Sequence, residues 1–132
     1  MELIKLIKLP LLGDERGSLV AIEANKHTPF EVKRVYYILG TQCGVSRGFH
    51  AHKKLQQLAV CVSGKCRMLL DDGLTKETVW LDSPSKAIRI EPMVWHEMHE
   101  FSDDCVLLVL ASEHYDESDY VRDYSDFIRD KK

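Results

Sequence analysis

The sequence has no long apolar run and no signal-like beginning. Its longest uninterrupted apolar stretch, Cys105 to Ala111, is far shorter than the ~20 residues that a membrane-spanning helix needs. The N-terminus lacks the basic end, apolar stretch and small-residue cleavage site of a signal peptide. These absences predict that the protein is neither a membrane protein nor an exported one, and favour the cytoplasm.

Strong charge of either sign is also absent. The net charge is −3, from 18 Lys and Arg against 21 Asp and Glu, and no block of basic residues occurs. Nucleic acid is therefore not an expected partner, and an anionic ligand would have to be held by a few placed cations. With 45% hydrophobic and 30% charged residues, the composition is that of an ordinary folded protein. We expect a single domain over residues 1–132.

The four cysteines show no C-x-x-C spacing, so no zinc ribbon is indicated. Their number would allow two disulfides. Cys61, Cys66 and Cys105 lie among apolar residues, however, and we expect them to be buried cytosolic thiols.

Short runs rich in β-branched, leucine and aromatic residues alternate with turn signals along the chain. This pattern is typical of an antiparallel sandwich or barrel. The expected strands are Val32–Leu39, Gln57–Val62, Cys66–Leu70, Glu77–Leu81, Ala87–Ile90 and Val106–Leu110, with another in Leu3–Leu9. Tyr120, Tyr124, Phe127 and Ile128 recur at helical spacing and predict a helix over Asp116–Asp130.

The most informative segment is Gly44–Lys54. His50 and His52 are two residues apart, so on a strand both imidazoles project from the same face. The frame Gly44, His50-x-His52, Gln57 and Gly64 resembles the first motif of the cupins, in which a glutamate stands where Gln57 stands here. The second cupin motif, which supplies a last histidine, is compressed around Pro92–His96.

The departure at Gln57 bears on metal binding. A cupin metal site resembles three histidines plus a carboxylate, whereas this chain offers at most three imidazoles: His50, His52 and either His96 or His99. Because a neutral amide is a poor metal ligand, we expect no metal. The inner histidines would then act as acid and base, which suits a group that titrates near pH 6.5.

A wider resemblance is carried by six runs in register: Asp14–Leu19, Pro29–Ile38, Arg47–Lys54, Val94–Met98, Leu107–Ser112 and Tyr115–Tyr124. In these runs the chain is similar to the sugar 3,4-ketoisomerases that act on dTDP-4-keto-6-deoxyglucose. The resemblance implies an all-β cupin fold, that is, an antiparallel β-sandwich or barrel (jelly roll) with a short C-terminal helix. It also implies an isomerase of deoxy-amino-sugar biosynthesis for surface glycans that needs neither metal nor cofactor.

The same resemblance assigns roles to individual residues. His50 would shuttle the proton beside Tyr36, and His52 would orient His50 or bind the sugar. Arg47 is the first candidate for the pyrophosphate, because its planar fork suits phosphate oxygens. Strict alternation puts Arg47 on the opposite face from His50, so we predict a bulge at Gly48.

Three further candidates for binding the substrate are Arg16, on a turn between Gly13 and Gly17, Lys53 and His96. The pair Arg16 and His96 resembles the branch of the family that forms a galactose-configured product, dTDP-3-keto-6-deoxygalactose. We therefore favour that product over its glucose epimer.

Three different functions remain open on the sequence alone. A 3,5-epimerase acting on the same substrate would need a carboxylate beside its histidine, and no aspartate is obviously so placed. The motifs also allow a metal-dependent cupin dioxygenase and a non-catalytic sugar-binding cupin.

The resemblance further implies a homodimer that exchanges its N-terminal strand. Leu3, Ile4, Leu6 and Ile7 would give such a strand apolar contacts on both faces, which a solvated edge strand would not favour.

Overall fold

The computed structural model describes residues 3–131. Within that range the chain forms twelve strands, one 3₁₀ turn and one α-helix. The strands are β1 (Leu6–Lys8), β2 (Leu11–Asp14), β3 (Gly17–Val20), β4 (Arg34–Leu39), β5 (Arg47–His52), β6 (Gln57–Ser63), β7 (Cys66–Asp71), β8 (Lys76–Leu81), β9 (Lys86–Ile90), β10 (Trp95–His99), β11 (Val106–Ala111) and β12 (Tyr120–Val121). The 3₁₀ turn is Glu117–Asp119 and the helix α1 is Tyr124–Lys131.

Two five-stranded antiparallel sheets make up the body of the fold. The first sheet has the order β1-β9-β6-β11-β4, and the second sheet has the order β12-β5-β10-β7-β8. Strands β2 and β3 form a separate hairpin that pairs with neither sheet in the described part of the chain. The prediction of an all-β cupin-type sandwich with a short C-terminal helix is confirmed.

The core lies between the two sheets. Alternate residues of β6 and β11, such as Cys61 and Leu107, face Met68 and Leu70 of the second sheet, and all four are buried. Each such leucine or methionine contributes about 1.5–3 kcal/mol through the apolar surface removed from water. This packing fixes which residues of every strand point inward.

The other side of the first sheet, called here the outer face, carries a second apolar cluster. Leu58, Val60 and Leu110 point outward and are covered by Leu9 and Phe30. Farther out, the edge strand β4 leaves Val35, Tyr37 and Leu39 more than half exposed. The outer face is therefore only partly covered by its own chain.

Strands β4, β6, β7, β8, β9 and β11 occur where the sequence predicts them, with bounds that differ by one or two residues. Of the predicted strand Leu3–Leu9, only Leu6–Lys8 is a strand, and it pairs with β9 of the same chain. Exchange of this strand between subunits stays a prediction.

The predicted helix over Asp116–Asp130 is wrong in its first half. Asp116 accepts a hydrogen bond from the Ser118 amide and caps only a single 3₁₀ turn. Tyr120 and Val121 then pair with His52 and Ala51 of β5, and α1 begins at Tyr124. The ladder with β5 overrides the helical spacing, and it moves Tyr120 from the helix stripe to the neighbourhood of the histidines.

The prediction that three of the cysteines are buried thiols is confirmed. Cys61, Cys66 and Cys105 are buried and free, and the Sγ of Cys61 lies 3.6 Å from each of the other two sulfurs. Among the described residues, no helix is long and apolar enough to cross a membrane.

Candidate active site

A β-bulge at the start of β5 aims the site residues. His50 pairs with His96 and Gly48 pairs with Glu97, so Phe49 has no partner on β10. Gly48 has φ +91° and Phe49 has φ +61°, which breaks the alternation of the strand. As a result Arg47 and His50 both line one cavity, as the sequence predicts for a bulge at Gly48.

Three imidazoles pack against one another beneath this cavity. The ring centroid of His50 lies 4.9 Å from that of His52 and 4.7 Å from that of His96. His50 and His52 come from one strand, as the two-residue spacing predicts, and His96 is the cross-strand partner of His50. His50 reaches the cavity wall, whereas His52 and His96 lie behind it and are buried.

Burial keeps these imidazoles neutral, because it penalises the charged form of each ring. It lowers the pKa of His50 to about 4 and those of His52 and His96 to about 3, with further repulsion among the three rings. The site therefore presents neutral rings that can accept a proton at pH 7.

The two inner histidines have different polar neighbours. Nδ1 of His96 lies 3.1 Å from the carbonyl oxygen of Val94. A carbonyl only accepts, so this nitrogen carries the proton and Nε2 of His96 has a lone pair turned to the other rings. Nδ1 of His52 lies 3.5 Å from Oδ2 of Asp119, whose carboxylate also accepts the Lys54 amide at 2.8 Å.

Asp119 is a site residue that the sequence interpretation missed. The sequence shows no aspartate near the histidines, because Asp119 is brought to His52 only by the pairing of β12 with β5. Its carboxylate faces His52 and not the cavity-lining His50. Asp119 thus places a carboxylate beside His52, but at 3.5 Å it makes no hydrogen bond to Nδ1 of that ring in the described structure.

Tyr36 and Gln57 form a polar pair on the first sheet. The Tyr36 hydroxyl donates to Oε1 of Gln57 at 2.5 Å, and Nε2 of Gln57 is buried without a hydrogen-bond partner in the described structure. Burial, first of all, raises the pKa of Tyr36 above its ordinary value. Tyr36 therefore stays protonated, with its oxygen available to a ligand.

The cavity next to His50 has a volume of about 580 Å³. Tyr36, Arg47 and His50 line it, as the sequence predicts for site residues, and Arg16 and Lys53 lie outside it. Arg122, which the sequence offers as a weaker candidate for binding the pyrophosphate, also lines the cavity. Among the residues that the sequence interpretation did not place in the site are Arg34, Tyr37, Tyr115 and Tyr120.

A signal for some of these residues was present in the sequence. Arg34 is two residues before Tyr36 and shares its face of β4, with its guanidinium carbon 5.2 Å from the Tyr36 ring centroid. Tyr120 was not placed in the site because the sequence pattern predicts a helix there. Arg122 stacks over Tyr120 at 4.1 Å and forms a two-pronged salt bridge to Glu117.

A cupin metal ion would not find its usual ligands here. The ring nitrogens of His50, His52 and His96 lie within 4.8 Å of one another, which is close enough for three ligands. At the fourth position Gln57 replaces the carboxylate, and its oxygen already accepts from Tyr36. The donor set has no negative charge to offset a buried cation.

The fold and the histidine site together define a cupin-type enzyme. The family model described as "FdtA: WxcM-like, C-terminal" matches residues 2–132. A TDP-4-oxo-6-deoxy-alpha-D-glucose-3,4-oxoisomerase from Aneurinibacillus thermoaerophilus is 56% identical over 123 residues, which cover 93% of this chain and 88% of that protein.

Solved structures agree with this assignment. A double mutant of the QdtA 3,4-ketoisomerase from Thermoanaerobacterium thermosaccharolyticum, in complex with TDP, has a TM-score of 0.94 and 44% identity and covers 97% of this chain and 93% of its own. The WlaRB TDP-quinovose 3,4-ketoisomerase from Campylobacter jejuni has a TM-score of 0.93 and 44% identity. The match covers 98% of this chain and 99% of the WlaRB chain. The chain belongs to the FdtA family of sugar 3,4-ketoisomerases, which favours the isomerase over a 3,5-epimerase, a dioxygenase or a purely sugar-binding cupin.

The QdtA double mutant bears on two of the predicted residues. It replaces a tyrosine with arginine and an arginine with histidine. The two replaced positions are as far apart along that chain as Arg16 and His96 are here, and the replacing residue types are the same.

The bulge generates a first prediction. A Cβ on Gly48 would lie 2.9 Å from the carbonyl oxygen of His96, whereas a Cβ on Gly44 would meet nothing within 4 Å. Both glycines have positive φ, so Gly44→Ala serves as the control for backbone strain. We expect Gly48→Ala to lower the free energy of unfolding by roughly 1–3 kcal/mol more than Gly44→Ala does.

Urea unfolding of both variants measures this difference, and turnover should fall only in Gly48→Ala. Equal losses of stability in the two variants would show that the approach of Gly48 to β10 is not needed.

The neutral histidines generate a second prediction, on pH. A buried histidine whose pKa is about 3, against about 6.5 when unfolded, contributes its full stability above pH 6.5 and loses it as the pH falls toward 3. At pH 5.5, His50, His52 and His96 should each cost about 1.4 kcal/mol of stability, because all three pKa values lie well below that pH. His96→Asn should remove about a third of the combined loss, and His114→Asn, at an exposed position, serves as the control variant.

Urea midpoints at pH 7.5 and pH 5.5 measure these changes. The assignment of neutral buried rings would be contradicted by a parent protein that is as stable at pH 5.5 as at pH 7.5. It would also be contradicted if His96→Asn lost as much stability between these two pH values as the parent does.

Proposed function

We propose that the protein converts dTDP-4-keto-6-deoxyglucose to its 3-keto isomer, with His50 carrying the proton between C3 and C4. One observation carries the assignment to His50: of the three packed imidazoles, only this one reaches the cavity, where Tyr36 and Arg47 flank it.

The reaction moves a carbonyl by one carbon. Neutral His50 takes the acidic proton from C3, next to the C4 ketone, and the electrons form the C3–C4 double bond of an enediolate whose negative charge lies on the C4 oxygen. The C3 hydroxyl proton passes to the C4 oxygen, the imidazolium returns a proton to C4, and a ketone forms at C3 beside a hydroxyl at C4. No redox cofactor takes part, because oxidation at C3 balances reduction at C4.

The low pKa of His50 must rise for this step to be efficient, because proton transfer is fastest when the pKa of the base lies near the operating pH. The bound substrate supplies the cause. Its pyrophosphate and the negative charge that develops on the enediol stabilise an imidazolium nearby, while His52 and His96 hold the ring in place.

Tyr36 is placed to act on the sugar oxygen, but its proton is directed at Gln57. A half-turn of the Gln57 amide would present Nε2 as a donor to the Tyr36 oxygen and free the hydroxyl proton for the substrate oxyanion. The unpartnered Nε2 of Gln57 makes this exchange inexpensive, because no hydrogen bond of that group is lost.

The cations and aromatic rings of the cavity suit the dTDP end of the substrate. Arg34 and Arg47 offer guanidinium groups for the pyrophosphate, and Arg122, already paired with Glu117, is a third. Tyr115 and Tyr120, whose ring centroids are 5.8 Å apart, offer faces on which a pyrimidine ring can stack. Lys53 lies farther out and would act only as a general positive charge.

The proposal extends to the configuration of the product, the oligomeric state and the cellular compartment. We propose a galactose-configured product, since Arg16 and His96 match the residues introduced into QdtA. We propose a homodimer, because apolar residues of β4 and of the β2–β3 hairpin are exposed. We propose the cytoplasm as the compartment, because the clustered thiols are unbonded and such thiols persist in a reducing environment.

The central prediction concerns His50. His50→Asn should reduce isomerisation by about 10²–10⁴-fold, which is the usual contribution of a general acid–base group. TDP should bind with nearly unchanged affinity, because the cations of the cavity remain. Turnover of dTDP-4-keto-6-deoxyglucose and calorimetric TDP binding measure the two effects, with His114→Asn as the exposed histidine control. Near-normal turnover in His50→Asn would exclude the assignment.

A further prediction concerns metal. The parent should keep full activity after exhaustive treatment with EDTA, because Gln57 leaves the three imidazoles without a carboxylate. Gln57→Glu restores that carboxylate and should gain affinity for Zn²⁺, which gives a positive comparison. Loss of parental turnover in EDTA, with recovery on adding one particular metal, would show that a metal takes part.

A further inference from the structure

Three buried thiols meet at one end of the sandwich. Cys61 lies in β6, Cys66 begins β7, and Cys105 comes directly before β11. The Sγ of Cys61 is 3.6 Å from the Sγ of Cys66 and 3.6 Å from that of Cys105, and all three sulfurs lie within 4.8 Å of one another. Three separate parts of the chain thus deliver one sulfur each to the same point of the core.

A cysteine in a core can act simply as a small apolar side chain. The three thiols do pack in the same apolar cluster as Met68 and Leu107. Packing alone, however, does not require that three sulfurs face one another. The fourth cysteine, Cys43, is exposed and joins no such group among residues 3–131. The convergence of the other three makes them a set of possible ligands.

The spacing and the burial of these thiols both disfavour a disulfide. A disulfide holds its two sulfurs about 2.05 Å apart, well inside 3.6 Å, and it would leave the third thiol unpaired. The contact with the Cys66 thiol, followed by burial, raises the pKa of Cys61 above its ordinary value, and burial first of all raises the pKa of Cys105 to about 12. Because oxidation proceeds through the thiolate, these protonated thiols resist it.

Net charge decides which ion such a site takes. Three thiolates around Zn²⁺ would leave one negative charge, and three around Cu⁺ would leave two, in an apolar core where an unpaired charge is costly. Trivalent arsenic is different, because its bonds to three sulfurs give a neutral group. As(OH)₃ exchanges its three hydroxyls for three thiols, and each hydroxyl leaves as water with one thiol proton. No oxidation state changes in this exchange.

The spacing of the sulfurs favours the same element. With bonds to sulfur near the ~2.3 Å of a zinc thiolate, a planar three-coordinate ion holds its sulfurs roughly 4.0 Å apart, and a pyramidal one holds them closer together. Trivalent arsenic is pyramidal, because a lone pair occupies its fourth position. The two separations of 3.6 Å around Cys61 therefore suit arsenic better than a planar Cu⁺ centre.

The cluster lies away from the histidine site. Along β6, Cys61 is four residues beyond Gln57. Along β7, Cys66 is four residues before Leu70, which is the cross-strand partner of His96. Four residues of strand span roughly 13 Å. A group bound to the sulfurs would thus be out of reach of a substrate in the active-site cavity.

Two surface turns close this end of the sandwich. The amide of Lys65 donates to Oγ of Ser102 at 2.9 Å, and the amide of Ser102 donates to the carbonyl oxygen of Lys65 at 2.9 Å. A Cβ on Gly64 would lie 2.7 Å from Cα of Cys105, so the first turn lies directly on the cluster. Exposed turns of this kind open locally without global unfolding, which gives a small ligand a short route inward.

We propose that Cys61, Cys66 and Cys105 form a binding site for trivalent arsenic, in which one arsenic atom bonds to all three sulfurs. Cys61 belongs to the first sheet and Cys66 to the second, so the bound arsenic joins the two sheets. The site goes beyond the proposed isomerase reaction and uses none of the residues assigned to it.

Arsenite and mass spectrometry test the inference. The reduced protein is incubated with sodium arsenite until uptake is complete, since the two turns have to open first, and excess arsenite is removed by gel filtration. We expect one arsenic per chain, with a mass gain of one arsenic minus three hydrogens, because three thiols are consumed. X-ray absorption should show three sulfur neighbours around the arsenic.

Matched variants that each keep three cysteines identify the site. Cys61→Ala and Cys43→Ser have the same number of thiols, but only Cys61→Ala breaks the cluster. We expect Cys61→Ala to bind arsenite about 10²–10⁴-fold more weakly than the parent, which is the usual gain from one further tethered contact. Cys43→Ser should bind arsenite as the parent does.

Cys66→Ala and Cys105→Ala repeat the test with the other two sulfurs, so the comparison does not depend on the folding of Cys61→Ala. Far-UV circular dichroism and urea midpoints show which variants are folded. Equal affinity for arsenite in the folded cluster variants and in Cys43→Ser would overturn the inference.

Two further results would also overturn it. One is an adduct that consumes only two thiols and keeps a hydroxyl on the arsenic. The other is tighter binding of Zn²⁺ than of arsenite at these cysteines. Mass and X-ray absorption are read without any turnover of the ketosugar, so this inference and the proposed function can fail separately.

Discussion

The structure depends on the burial of three imidazoles between two sheets. Burying an isolated polar ring in such a place is costly unless the ring is hydrogen-bonded or takes part in chemistry. Each of the three rings has a different polar surrounding. Val94 fixes the proton of His96, Asp119 faces His52, and the cavity opens on His50. The pairing of β5 with β10 and with β12 is what holds these groups together.

Two local features distinguish this site from the cupin motif. At Gln57 an amide stands in place of the motif's carboxylate and accepts a hydrogen bond from Tyr36. At Gly48 a bulge brings Arg47 onto the same wall as His50. The first feature leaves the three imidazoles without a carboxylate at that position, and the second places a cation on the wall of the cavity.

Much of the fold could be predicted from the sequence, because period-two alternation and turn residues are local signals. His50 and His52 followed from their spacing, whereas Tyr36 and Arg47 followed from the family resemblance, and the bulge at Gly48 followed from the need to bring Arg47 to the face of His50. Asp119, Tyr115 and Tyr120 could not be placed, since the pairing of β12 with β5 competes with a helical pattern that looks stronger in isolation. The position of Arg16 on the outer side of the first sheet likewise depends on tertiary topology and not on any local pattern.

The most direct test of the account is the incubation of the protein with dTDP-4-keto-6-deoxyglucose in deuterated water, followed by NMR. The account predicts that the ketone moves from C4 to C3, that deuterium enters at C4 of the product and, through the reverse reaction, at C3 of the remaining substrate, and that the new C4 centre has the galactose configuration. Deuterium at C5 with the ketone retained at C4 would indicate a 3,5-epimerase and would contradict proton transfer by His50 between C3 and C4.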